Sequence, residues 1–357
     1  MKATLLYKPS NVKVLDVNNF KEEGILKVNL AGICGTDTHV YNGALVRDYP
    51  IVMGHEIVGT VISDPQKMGL ISDQKLSKGD RVVVVPGINC EECYYCRTFA
   101  QYCGDRKFYG LNLLFNEKEG EIYGGFSQYM NLLPRTRVIK VSDMLSDKEA
   151  VMIEVLASAL RAVQRGYSHG DLPTKTKAAV IGVGPIGLSA VAMLYTGGAD
   201  VLAIDRIPKR LEKAKEFGVS KTVDVGNLNQ DELESIILEH TAGVGMDFVI
   251  ECAGEPAAFN DALSIVRRGG RIVEMGNFAY AGNAQVDLTK ICQRDIEIIG
   301  SAETLYRDFI TAQRIIESSG LNFGSLTTNI VPLEDLSQGI RDVISRKGIK
   351  TAVNPNE

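Results

Sequence analysis

The chain has 357 residues, more than one hydrophobic core usually serves, so two domains are expected. With 45% hydrophobic and 23% charged residues it has the composition of a packed globular protein, free of low-complexity tracts and of any repeat at solenoid spacing. A formal net charge of −5, with no short segment concentrating Lys and Arg, argues against nucleic acid as a partner.

The apolar run after Met1 is soon ended by Lys8 and Pro9 and is too brief for a secretory leader, so a cytoplasmic location is expected. Residues 1–150 carry short alternating runs at 25–29, 57–62 and 81–85, punctuated by Gly and Asp, which predict a β-rich domain of barrel-like character. Within it stands Gly32-Ile33-Cys34-Gly35-Thr36-Asp37-Thr38-His39, followed about 20 residues later by Gly54-His55-Glu56. Cys34, His55 and Glu56 offer a thiolate, an imidazole and a carboxylate, a set that suits zinc with a fourth position left open. A Cys and a His so far apart would by themselves read as core residues. Three features favour a metal: the chain has only four histidines, His55 is bracketed by Gly54 and Glu56, and a dinucleotide-type domain follows.

Next comes a loop-like lobe, residues 89–104, in which Cys90, Cys93, Cys96 and Cys103 form CxxCxxCx6C. Four thiolates this close match a closed tetrahedral zinc that staples the loop and leaves no position for catalysis. Two disulfides would require an oxidising compartment that nothing indicates, and redox chemistry of the CxxC type uses fewer cysteines.

From residue 177 onward, β-branched runs alternate with amphipathic stretches, the pattern of a parallel sheet with crossover helices. Strands are predicted at 178–182, 200–205, 219–225, 246–251, 270–276 and 296–300, with helices such as 208–217 and 256–267 between them, giving a doubly wound, six-stranded Rossmann sheet in an α/β protein. The uncharged run 178–199 has the length of a membrane span, but Gly182, Gly184, Pro185 and Gly187 cut it where a strand would turn into a helix, so no membrane segment is expected. Gly182-Val183-Gly184-Pro185-Ile186-Gly187 reads as a phosphate-binding turn opening that helix. Asp205, at the end of the next strand, is placed to accept from ribose hydroxyls, which favours NAD, whereas Arg206 beside it could hold the 2′-phosphate of NADP. Gly182, Gly184, Pro185, Ile186, Gly187, Asp205, Arg206 and Arg210 are the cofactor-binding candidates. Cys252 and Cys292 are expected to be small buried hydrophobes. The segment after Gly300 is too short to stand alone and should return to the first domain, with the active site in the cleft between the two.

Taken together, the Cys34 and His55 segments, the four-cysteine lobe, Gly124-Gly125-Phe126-Ser127-Gln128-Tyr129, Glu154-Val155-Leu156-Ala157 and the glycine loop with Asp205 resemble the zinc-containing medium-chain dehydrogenase/reductase family over nearly the whole chain, most closely its polyol dehydrogenases. The resemblance implies a GroES-like catalytic domain from 1–150 and 290–357 and an NAD-binding domain from 151–289. It implies two zincs per chain, one in the lobe and one held by Cys34, His55 and Glu56, with Glu154 either coordinating or holding the bound water. It also implies Thr36 as acceptor of the substrate proton, His39 as its relay, and a homodimer or homotetramer. The expected reaction is oxidation of a secondary alcohol of a polyol, cyclitol or sugar to a ketone. Two departures leave the substrate open: Val155 stands where sorbitol-type enzymes have proline, and Glu303 where they place an arginine. Rival readings are an L-threonine or simple alcohol or butanediol dehydrogenase and, from another class, a non-catalytic zinc and dinucleotide sensor.

Overall fold

A computed structural model describes residues 1–45, 48–167, 176–277 and 281–357 of the protein. The chain divides into two compact units, one made of Met1–Glu154 with Leu305–Glu357 and the other of Val155–Thr304.

Among the described residues, the first unit is built on a seven-stranded sheet in the order Thr327–Val331, Lys350–Val353, Ile25–Gly32, Glu56–Val61, Arg81–Val84, Val138–Lys140, with Tyr129–Asn131 also paired to Ile25–Gly32. Alternation explains the central strand: Leu26, Val28 and Leu30 are buried while Ile25, Lys27 and Asn29 are partly exposed, as a pleated strand with one covered face requires. The covered face packs Leu26, Val28, Ile57, Val82, Val84 and Phe126 into one cluster with Leu336, Ile340 and Val353. Each such side chain contributes about 1.5–3 kcal/mol by leaving water. Gly32 lies opposite Glu56 on one side and opposite Ala352 on the other, so three distant stretches of chain meet at one end of the strand.

The second unit is a six-stranded parallel sheet of Lys177–Ile181, Asp200–Asp205, Lys221–Asp224, Met246–Glu251, Val266–Glu274 and Glu297–Gly300. In chain numbering its order is third, second, first, fourth, fifth, sixth, the doubly wound arrangement. The first two strands are buried almost throughout, as befits a sheet flanked by helices. Helices Pro185–Thr196, Pro208–Glu216 and Pro256–Ile265 each begin with proline, which loses no hydrogen bond in a first turn.

Several expectations are corrected. The sheet unit runs to Thr304 and not to 289, because the strand Glu297–Gly300 hydrogen-bonds to Val266–Glu274 and so belongs with the sheet. At its start the unit takes over after Glu154, a few residues beyond 150. The uncharged run 178–199, by contrast, divides as expected into a strand and the helix Pro185–Thr196; no helix among the described residues is long and apolar enough to cross a membrane. Cys292 is exposed, because the helix Leu288–Gln293 that carries it has no buried residue. Cys252 is only partly covered.

Candidate functional site

The strand Ile25–Gly32 ends two residues before Cys34, which caps the helix Gly35–Tyr41. Asp37 closes that turn by accepting the Cys34 N–H at 2.8 Å through Oδ2. Its other oxygen, Oδ1, stands 3.5 Å from Nδ1 of the buried His55. Glu56 begins the adjacent strand with His55 directly before it, and ligand atoms of Cys34, His55 and Glu56 all lie within 4.8 Å of one another. Glu56 is buried and forms an ion pair with the equally buried Lys350, whose Nζ also donates to Ile33 O at 3.1 Å. Gly32 is required here: a Cβ on it would collide with the Glu56 carboxylate and the Lys350 stem.

Electrostatics follow from this crowding. Burial opposes a charged His55, yet Asp37 and the Cys34 sulfur hold its pKa well above the usual imidazole value. Burial likewise works against the Lys350 ammonium, and Glu56 with Cys34 raises its pKa regardless. Glu154, in the first turn of the helix Met152–Gly166, keeps some accessible surface, but its carboxyl is pushed up to about 7 by burial and then by Glu56, with His55 and Lys350 pulling the other way. It thus shares the field of the cluster, while the tight group within 4.8 Å consists of Cys34, His55 and Glu56. Thr36 Oγ1 lies 3.8 Å from Cys34 Sγ, and His39 occupies the last turn of the same short helix, its pKa lowered by partial burial.

These residues fit a metal. The donor set mixes sulfur, nitrogen and oxygen as catalytic zinc does, and His55 Nδ1 and Asp37 Oδ1 face each other without either making a hydrogen bond among the described residues. A ring whose Nδ1 is turned to a carboxylate leaves Nε2 for a metal, the usual outer-shell support of a ligating histidine.

The lobe is a second cluster, with the sulfurs of Cys90, Cys93, Cys96 and Cys103 within 4.8 Å of one another and no disulfide among them. Cys90 Sγ is 3.7 Å from Cys96 Sγ and 3.5 Å from Cys103 Sγ. Four zinc–sulfur bonds of about 2.3 Å in a tetrahedron put sulfurs roughly 3.8 Å apart, so the spacing suits that ion. Backbone N–H groups of Cys90, Glu91 and Cys96 donate to the sulfurs of Cys103, Cys96 and Cys93 at 3.3, 3.3 and 3.4 Å, which favours thiolates. The Cys93 thiol is lowered to about 6, chiefly by the Cys96 N–H, whereas burial and then the neighbouring Cys103 and Cys93 sulfurs push Cys96 up to about 12, the mutual crowding that a cation among the four sulfurs would relieve.

In the second unit the glycine loop behaves as its spacing predicts. Gly182 has φ +83°, and a Cβ on it would stand 2.6 Å from Ala253 N, so only glycine suits the turn. At Gly184, by contrast, the nearest atom to an added Cβ is Arg210 Nη1 at 3.5 Å, which leaves the backbone open to a ligand at the start of the helix Pro185–Thr196. Ile186 lies in that first turn, and Gly187 packs against the Gly182 carbonyl. The buried Asp205 accepts from Val183 N–H at 2.8 Å and Ile207 N–H at 2.9 Å, and Arg210 Nη1 lies 3.9 Å from it. Arg206 pairs with Glu255.

Sequence reading did not assign roles to Asp37, Lys350 or Glu255. Asp37 was detectable, because it stands three residues after Cys34, the spacing of a capping box. Lys350 and Glu255 carry no local signal.

Comparison with known proteins agrees with this construction. Residues 21–143 match the alcohol dehydrogenase GroES-like domain, and residues 185–318 match the zinc-binding dehydrogenase domain. A sorbitol dehydrogenase of Bacillus subtilis is 31% identical, the alignment covering 100% of this chain and 98% of that one. D-arabinitol dehydrogenase 1 of Uromyces fabae is 27% identical over 94% of this chain and 90% of its own. An alcohol dehydrogenase from Thermotoga maritima superposes with a TM-score of 0.88 at 25% identity, covering 99% of this chain and 98% of that one. With both halves matched and a relative of this identity along its full length, the chain belongs to the zinc-binding dehydrogenase family.

Proposed function

We propose that the protein oxidises a secondary alcohol of a polyol, cyclitol or sugar to a ketone, using NAD, with zinc at Cys34, His55 and Glu56 and a second zinc at Cys90, Cys93, Cys96 and Cys103. The observation that carries this reading is the convergence of Cys34, His55 and Glu56 within 4.8 Å in a buried corner of a family whose members are dehydrogenases. The substrate class is supported by the sorbitol and D-arabinitol dehydrogenases among its relatives.

A zinc ion held there supplies Lewis-acid polarisation of the substrate oxygen. Asp37 orients the His55 ring through Nδ1, and Lys350 anchors the Glu56 carboxylate. Glu154 is assigned either to the metal or to its water, a role that its shared field with Glu56 and His55 supports. Thr36 Oγ1 takes the substrate hydroxyl proton while giving up its own to His39, whose partly buried imidazole, its pKa lowered by that burial, passes the proton on to solvent. Gly182 makes the turn and Pro185 opens the helix, so that the N–H groups of Gly184, Ile186 and Gly187 can receive the pyrophosphate, while Asp205 and Arg210 hold the adenosine ribose side.

The test is a panel of polyols, inositol, butanediol and threonine read as NADH absorbance, with zinc content measured in parallel. Turnover of a polyol, two zincs per chain and loss of turnover in His55→Ala are expected, and activity retained by His55→Ala would overturn the assignment. Assembly as a homodimer or homotetramer is also proposed, supported by the exposed rings of Tyr94, Tyr95, Phe99 and Tyr102 on the lobe, and light scattering decides it. A cytoplasmic setting is proposed from seven cysteines that form no disulfide.

A further inference from the structure

Two adjacent side chains at the end of the second strand of the parallel sheet have opposite charges and different surroundings. Asp205 is 6% exposed, and each of its oxygens already accepts a backbone N–H. Arg206 is about half exposed, and its Nη2 is held by Oε1 of Glu255. Glu255 directly follows the fourth-strand turn and precedes the helix Pro256–Ile265. Because the first strand lies between the second and the fourth, this ion pair joins the two loops that flank the strand from which the glycine loop departs.

A guanidinium next to the ribose-binding acid is the group with which a dinucleotide site would hold a 2′-phosphate, since its planar fork matches phosphate oxygens. We propose that Glu255 is a specificity-determining residue for the cofactor. By occupying Arg206 it denies that cation to a 2′-phosphate. The site therefore takes NAD and discriminates against NADP, although an arginine stands where a phosphate could be met. This deepens the proposed function and rests on the dinucleotide site placed there.

The substitution that tests it is mild. Glu255 makes no capping hydrogen bond to its helix, and an exposed ion pair adds little to folding, so E255Q should fold. Calorimetric titration of the zinc-loaded wild type, E255Q and E255Q/R206A with NAD and with NADP gives the ratio of the two dissociation constants. Removing one charge a few ångströms from a phosphate should shift that ratio toward NADP by on the order of tenfold in E255Q. In E255Q/R206A the gain should vanish, because the cation that profits is gone. An unchanged ratio in E255Q, or a gain that survives R206A, would overturn the role of Glu255 while leaving the dinucleotide site intact. A wild type that binds neither dinucleotide would remove that site and the role of Glu255 with it.

Discussion

Glu251 and Glu274 stand opposite each other on neighbouring parallel strands of the second unit, and replacing one of them gives a sharp test of how that sheet is packed. Glu251 is fully buried, its Oε1 accepting from Ala253 N–H at 2.7 Å and Gly254 N–H at 3.0 Å, while Oε2 of each carboxyl has no hydrogen-bond partner among the described residues. Burial first, and then the facing Glu274, push the Glu251 carboxyl up to about 8. An acid whose folded pKa lies above its unfolded value binds more protons folded than unfolded, so stability is lost as pH rises from the unfolded value to the folded one. From an ordinary 4.5 to about 8 the whole cost is about 5 kcal/mol at 1.36 kcal/mol per unit, fully expressed only above pH 8. Glu274 supplies part of it, so E274Q should recover roughly 2 kcal/mol at pH 9. The glutamine keeps the acceptor that Asn277 uses at 2.9 and 3.1 Å and offers an N–H to the facing carboxylate. For a unit of this size that corresponds to a rise in melting midpoint of about 4–8 °C. Melting followed by circular dichroism at pH 5 and pH 9 decides the matter. The gain should be present at pH 9 and nearly absent at pH 5, and an equal gain at both, or none at pH 9, would refute the carboxyl pair.

The remaining predictions concern the first unit. In the metal-free protein, Lys350→Met leaves the Glu56 carboxylate buried without a cation and should destabilise that unit by about 3–5 kcal/mol in denaturant melts, whereas a surface-like loss below about 1 kcal/mol would show that the pair is not enclosed. Asp37→Asn removes the charge facing His55 Nδ1 and should weaken zinc affinity at the Cys34 cluster by about 10- to 100-fold in a chelator competition, with the lobe zinc retained. Cys90→Ser should lower bound zinc by one ion per chain in metal analysis and loosen residues 89–104 to proteolysis, and unchanged zinc content would contradict the four-sulfur centre.

The local features of this protein could be read directly. Four cysteines within one loop, a glycine turn between an apolar strand and an apolar helix, and an acid ending the next strand each act through neighbours only a few residues away, and all of them fold as their spacing predicts. The strands Asp200–Asp205 and Met246–Glu251 likewise have the limits that their β-branched runs announce. The strands predicted at 219–225 and 270–276 appear as Lys221–Asp224 and Val266–Glu274, because pairing partners decide where a strand stops.

What composition and spacing determined was therefore the class of fold and the chemical kinds of side chain available, since turn geometry, periodicity and ligand type are properties of short stretches. Only the tertiary structure decided which of those groups meet. Lys350 reaches Glu56 because the last strand pairs beside Gly32, Glu274 faces Glu251 through the register of parallel strands, and Glu255 arrives at Arg206 from across the first strand. Such encounters depend on strand order and register, which are set by burial of the whole sheet and leave no trace in the residues next to each partner.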